Sequence, residues 1–362
     1  MAHTGQERYS KLVLAKLRVS AVLKDGIVFN NDYEGDPKAG AVKIPVRDVE
    51  VAVSDYDKAS GLAGATGTTT YETLLINKDK AVNEIIDGYD AEAVPDGIVA
   101  ERLDSAGYAL AMQLDNDGAA ALLAGGTAHN AAQLTKDSAY AAVVDLRTAL
   151  SKANVPMQGR YLLATPDFMA LLLKCDEFVK ASALGDATVQ SGMIGKIAGF
   201  DVYEYNSATP NLQAIAGHPK YAARVNEFSV PVHLQNLAES GKYIGASAVQ
   251  GRMVYAHKVL RAAAVRALYA PGALTVTAAA SDEGKTILTV TGTEASGTTL
   301  KYTVNPAKNV PVGDAYAGGT ALTSGTTKIS AAAGDVIEVA ELSGGKVVKA
   351  GYHTVKAAEI GS

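Results

Sequence analysis

The chain has 362 residues, a net charge of −5, a hydrophobic fraction of 48% and a charged fraction of 20%. That length exceeds one ordinary domain of roughly 100–200 residues, and the apolar content excludes a disordered chain. The sparse, slightly acidic charge excludes a surface that attracts nucleic acid as a whole, and a lone cysteine, Cys175, excludes a disulfide framework or a cysteine-built zinc site.

Residues 1–24 carry Arg8, Lys11, Lys16, Arg18 and Lys24 against Glu7, with an apolar stripe of Leu12, Val13, Leu17, Val19 and Val22 that needs a partner surface. The strand-like runs KIPVRDVEVAV and TYETLLINKD follow, separated by SDYDKASGLAGATGTT, which reads as a long hairpin tip. Such a hairpin has no core of its own. A helix capped by Asp96 is expected next, with Val99, Leu103, Ala106, Leu110 and Leu114 on one face. Its surroundings are acidic: Asp87, Asp90, Glu92, Asp96, Glu101, Asp104, Asp115 and Asp117 stand against Arg102, which suggests a solvated face. A second helix runs from Asp137 through Ala139, Val143, Leu146, Leu150 and Ala153, and stops before Pro156.

An α+β block comes after it. GRYLLA (159–164) is a short strand, and Thr165-Pro166 caps and opens the helix DFMALLLK. The loop 182–192 leads to GKIAGFDVYEYN (195–206), a buried strand entered by a turn at Gly199. LQAIAG is another strand, and 250–268 is a long β-rich stretch. From Ala270-Pro271-Gly272 onward the texture becomes short Thr- and Val-rich runs divided by turns. That pattern predicts an independent β-sandwich of immunoglobulin-like size over 271–362.

No constellation for chemistry emerges. His3, His129, His218, His233, His257 and His353 are scattered without metal-ligand spacing, and Cys175 sits in an apolar helix as a small buried hydrophobe. Gly284-Lys285-Thr286 imitates the end of a phosphate loop, but its flanks are strand and turn, and Ala279 stands where a glycine is required. Gly61, Gly64 and Gly67 are spaced wrongly for a dinucleotide fingerprint. No catalytic, cofactor or metal residues are assigned, and no enzyme activity is expected. The N-terminus lacks an apolar signal core and no long apolar run occurs, so a soluble chain without a membrane partner is expected. Long hairpins, an amphipathic arm and no reactive cluster point to a protein that contacts copies of itself.

The order of these segments resembles the major capsid protein family of tailed bacteriophages, with the Hong Kong ninety-seven fold that encapsulins share. The residues that carry the likeness are VPMQGRYLLATPDFMALLL (155–173) and GMIGKIAGFDVYEYNSATP (192–210). The resemblance implies an α+β fold with an N-terminal arm (1–40), an extended loop (41–80), and peripheral and axial domains (81–270) with a spine helix at about 94–124. The sandwich at 271–362 lies outside the family pattern and is expected to face outward as a decoration domain. The implied function is a shell of pentamers and hexamers around double-stranded DNA, in a virion whose protein is made in the host bacterial cytoplasm. A scaffolding protein and a portal are implied partners. Host-surface glycan contact would fall to 271–362, where the aromatics are Tyr302, Tyr316 and Tyr352, with Tyr269 at the border. Some relatives weld subunits by Lys–Asn isopeptide bonds, and Lys58 lies in the loop tip where such a lysine would be placed. The alternatives are an encapsulin-type compartment and a tail-tube protein with a C-terminal immunoglobulin-like domain.

Overall fold

A computed structural model describes residues 22–32, 40–46, 53, 55–61, 70–93, 98–175, 193–238, 241–293, 297–307, 310–316 and 318–361. The stripe of the N-terminal arm through residue 21, the Asp96 cap and the 182–192 loop lie outside these residues. In chain order, the first elements are β1 (Ala41–Val46), β2 (Thr70–Leu75), β3 (Lys78–Ile86), α1 (Gly88–Ala93), α2 (Ile98–Gly125) and β4 (Thr127–Asn130). Next come α3 (Lys136–Lys152), β5 (Arg160–Ala164), α4 (Pro166–Leu173), β6 (Met193–Ile197), β7 (Phe200–Glu204) and β8 (Leu212–Gly217). Then follow β9 (Ala222–Asn236), β10 (Ser247–Val259), β11 (Val265–Tyr269), β12 (Gly272–Ala273), β13 (Thr275–Ala280) and β14 (Lys285–Thr291). The last are β15 (Thr299–Val304), β16 (Thr320–Leu322), β17 (Lys328–Ser330), β18 (Val336–Ser343) and β19 (Lys346–Thr354). The chain is α+β with an all-β C-terminal part, as expected.

The chain divides into two compact units, residues 1–124 with 219–260 and residues 125–218 with 261–362. In the first, α2 lies on the antiparallel sheet β3-β10-β9. Ala106 and Leu110 are buried, and Val99 and Leu103 pack beside them against Ile86, Val249 and Val232. This is the face the helical spacing predicts. Gly251 of β10 allows the close approach, because a Cβ there would stand 2.8 Å from Val232 Cγ2 and 3.0 Å from Leu110 Cδ1. The run TYETLLINKD is not one strand: it breaks at Ile76-Asn77, so β2 pairs with β1 while β3 joins the other sheet.

The second unit is built on a six-stranded sheet in the order β4-β11-β8-β5-β7-β6. Its β5, RYLLA, is buried at every position, as a central strand covered on both faces requires. Helix α3 buries Ala139, Ala142, Val143, Leu146 and Leu150. It starts after Thr135, whose N–H donates to Ser138 Oγ at 2.9 Å, rather than at Asp137. Its C-terminus is closed by Asn154 in the left-handed region (φ 57°), with Val155 N–H donating to Leu150 O and Asn154 N–H to Ser151 O. That Schellman arrangement ends the helix before Pro156. The stretch 195–206 is also two strands, β6 and β7, joined by a tight turn at Ala198-Gly199 with φ of 47° and 87°. The 250–268 stretch breaks as well, β10 lying in the first unit and β11 in the second.

The C-terminal strands form sheets β12-β19-β18-β15-β16 and β13-β14-β17. Between them Leu274, Val276, Leu288, Val290, Leu322, Ile329, Ile337, Val339 and Val355 make one core. On the other side of β18, buried Glu338 accepts hydrogen bonds from Tyr352 Oη (3.1 Å) and Tyr316 Oη (3.4 Å). Burial, opposed in part by the Thr303 hydrogen bond and reinforced by Glu338, pushes the Tyr316 hydroxyl up to about 12.

One buried group makes a direct prediction. Tyr161 is 1% exposed, its hydroxyl finds no hydrogen-bond partner among the described residues, and a Cβ at Gly217 would stand 2.5 Å from that oxygen. Burying a hydroxyl without a partner costs about 1–3 kcal/mol. Tyr161→Phe is expected to raise the urea midpoint, by about 1 kcal/mol of stability; a loss of stability would contradict the assignment.

Candidate assembly surfaces

The residues offered for contact follow from what the fold leaves half-covered. In the first unit, the β1–β2 hairpin packs through one face at its root: Ile44 and Leu74 are buried against Ala223, Val225 and Ala256. Lys258 Nζ holds the root by an ion pair to Glu72 (2.6 Å) and a bond to Thr73 O (2.9 Å). The opposite face presents Tyr71 and Leu75, more than 60% exposed, and the tip presents Val53 and Tyr56. Exposed apolar side chains on a strand pair without a second layer require a covering surface.

At the tip, Asp57 organises the turn that carries Lys58: its carboxylate accepts from Ala59 N (2.9 Å) and Ser60 Oγ (2.7 Å). The backbone hydrogen bond from Ala59, with that from Ser60, holds the Asp57 carboxyl below its usual range. Lys58 is exposed.

The root of the N-terminal arm is fastened to the same unit by a network that charge counting misses. Asp115 on α2 is 4% exposed, and its Oδ2 accepts from Val22 N (2.8 Å) and Leu23 N (3.3 Å). Burial raises its carboxyl above the usual range, against those two bonds. Arg224 on β9 pairs with Asp25 (3.2 Å), donates from Nε to His257 Nε2 (2.9 Å), and lies 4.5 Å over the Phe29 ring. Asn30 extends the arm beside β9, donating to Ala222 O and accepting from Arg224 N. Asp117 accepts from Tyr255 Oη (2.8 Å) and pairs with Lys78 (3.4 Å). The acidic stretch is therefore not one solvated face. Asp115 and Asp117 point into this network, whereas Glu101 and Asp104 are exposed and Arg102 pairs with Glu84 (3.3 Å).

In the second unit the residues that carried the family likeness have definite physical tasks. Gly159 turns the chain at φ 77°, and Arg160, 2% exposed, caps the end of α3 by donating to Val155 O, Pro156 O, Arg147 O and Ser151 Oγ. Thr165 caps α4, its Oγ1 accepting from Phe168 N (3.4 Å), with Pro166 in the first helical position. A cavity of about 330 Å³ lies between α3 and the sheet edge, lined by His129, Asp145, Thr148, Ala149, Lys152 and Arg266. Its charges are mixed. His218 bonds Gln158 O (2.9 Å), and His353 lies 2.8 Å from Glu359 Oε2. Cys175 is buried, as expected, but it lies past the end of α4 at Leu173 rather than within a helix. Gly284-Lys285-Thr286 forms the β13–β14 turn and the start of β14. Tyr316 is buried, and Tyr269, Tyr302 and Tyr352 are half-buried. Among the described residues, no helix is long and apolar enough to cross a membrane.

Comparison with known proteins agrees with this geometry. Residues 84–230 match the family model described as phage capsid protein. A structure from Mycobacterium phage Che8 superposes with a TM-score of 0.60 at 26% identity, covering 74% of this chain and 98% of that one. The capsid structure of cyanophage P-SCSP1u matches at a TM-score of 0.59 and 15% identity, covering 73% and 92%. The mature capsid of bacteriophage PhiM1 matches at 0.58 and 14%, covering 74% and 92%. A search of curated protein sequences finds no match. Neither the tail-tube nor the encapsulin reading is favoured by these likenesses. The chain has the Hong Kong ninety-seven-like fold of these phage capsid structures and carries the phage capsid match over residues 84–230, which supports a structural, shell-forming role as a virion component.

Proposed function

We propose that copies of this chain close into pentamers and hexamers of an icosahedral shell around phage double-stranded DNA. Residues 1–40 serve as the arm, 41–80 as the extended loop and 81–270 as the peripheral and axial domains. The single observation that carries the reading is the β1–β2 hairpin, held at its root and apolar beyond it, which needs the surface of another subunit. Subunits in pentamers and hexamers meet under different rotations, which an extended hairpin and an arm can follow. Replacing residues 47–69 with a short turn should leave a folded chain that no longer forms closed particles on sizing columns; particles of normal size would overturn the reading.

The C-terminal β domain, residues 271–362, is proposed to be immunoglobulin-like and to face outward. The Che8 structure is matched over nearly its whole length and leaves roughly a quarter of this chain over, which supports reading the domain as an addition to the shell body. A scaffolding protein and a portal are proposed partners, with synthesis in the host cytoplasm. The exposed carboxylates Glu101 and Asp104 on α2 are proposed to face the interior, where they repel packaged DNA and let it slide. Glu101→Lys with Asp104→Lys is expected to give shells of normal size that hold less DNA, read as nuclease-protected genome per particle. Normal packaging would remove this part of the proposal.

A further inference from the structure

His257 is the half-buried histidine of the arm-root network, with groups from the arm, α2, β3, β9 and β10 acting around it. Arg224 (β9) donates to its Nε2, so that nitrogen carries no proton in the closed arrangement. The Phe29 ring of the arm lies 4.9 Å from the imidazole, and Tyr255 (β10) lies 5.4 Å away. The charges of Asp117 (α2) and Lys78 (β3) also act on it, and those of Asp25 (arm) and Asp115 (α2) act on Arg224. Arg224 is thus committed in three directions: to the arm carboxylate Asp25, to the arm ring Phe29, and to His257. Leu23, Val28 and Phe29 are fully buried behind it.

We propose that the His257–Arg224 contact is a latch on the arm root, closed at neutral pH and opened by acid. A proton on Nε2 turns the acceptor of Arg224 into a second cation 2.9 Å from the guanidinium, in a partly buried site. The guanidinium must withdraw, and its hold on Asp25 and Phe29 goes with it. Burial first, and the Arg224 charge second, keep His257 neutral down to about pH 3, against an ordinary value of 6.5. A released His257 takes its proton from pH 6.5 downward. Between those values acid therefore favours the open arm by about tenfold per pH unit. Asp115 works the other way: its carboxyl is raised by burial, so its protonation favours the closed form. The histidine variant, rather than acid alone, is accordingly the diagnostic.

The test is hydrogen exchange of the full chain at pH 7.5 and 4.5, corrected for intrinsic rates. Protection of residues 22–30 in the wild type should fall about a hundredfold, while that of α3 stays constant. In His257→Gln the side-chain oxygen still accepts from Arg224 but does not titrate, so protection of 22–30 should hold at both pH values. Unchanged protection in the wild type, or an equal fall in the variant, would overturn the latch. Should the variant fail to fold, the wild type decides alone: residues 22–30 must open at a higher pH than α3 does, and simultaneous opening refutes the proposal.

Discussion

Arg160→Ala is expected to cost about 3–5 kcal/mol and to leave the α/β block of the second unit unfolded at assembly temperatures. The side chain is 2% exposed and gathers Val155 O at 2.6 Å, Pro156 O at 2.8 Å, Ser151 Oγ at 3.2 Å and Arg147 O at 3.3 Å. These acceptors are neutral, and they lie at the carbonyl end of α3, where a cation also meets the helix dipole. Truncation strands several buried acceptors at once and empties the space the guanidinium fills. Arg160→Lys should recover less than half of the loss, because an ammonium cannot donate in a planar fork. Urea unfolding followed by circular dichroism measures both variants. A midpoint within error of wild type for Arg160→Ala would mean that the buried cap is not holding the helix end.

Gly351→Val is expected to cost about 3 kcal/mol, confined to the C-terminal β domain. A Cβ at residue 351 would stand 2.7 Å from Leu274 O, 2.7 Å from Val276 Cγ2 and 2.9 Å from Leu274 Cβ. Two of these atoms belong to the fixed backbone and Cβ of the crossing segment, so no rotamer change relieves the clash. The core that would open is Leu274, Val276, Ile337, Val339 and their neighbours. Links from this domain to the block before it include Gly272 N to Asn211 Oδ1 (3.2 Å) and Val312 N to Ala131 O (3.2 Å). Limited proteolysis of assembled particles should therefore remove the region after 271 in the variant and leave the shell closed. Failure to form particles would mean that the domain is needed for assembly, against its proposed role as a decoration.

Periodicity made some of this architecture legible. The faces of α2 and α3, the Thr165-Pro166 cap and the turn at Gly199 follow from spacing and from residues with narrow conformational preferences. Pattern joins segments that the fold separates where no such residue marks the break. Ile76-Asn77 and Arg261-Ala262 contain neither Gly nor Pro, yet strands leave one sheet there for another place in the fold. Strand β9 alternates Phe228, Val230, Val232 and Leu234 with polar residues, but Pro231 interrupts the run and argues against a strand, and its outer half stays largely exposed. The arm-root network was hidden for a different reason. Arg224 and His257 are cross-strand partners in the β9–β10 register, which a linear sequence does not display. Asp115 carries no signal of its burial in the helical spacing. Its phase does not separate it from the exposed acids: eleven and fourteen residues after Asp104 and Glu101, it lies on their side of α2, and it is buried because the arm root at Val22 and Leu23 covers that end of the helix.

Electron microscopy of the purified full-length chain, beside light scattering, tests the shell assignment most directly. Closed icosahedral particles or capsomer rings are expected, carrying projections that vanish on truncation after Pro271. Tubes or stacked rings, or a uniform 37.3 kDa monomer, would contradict it.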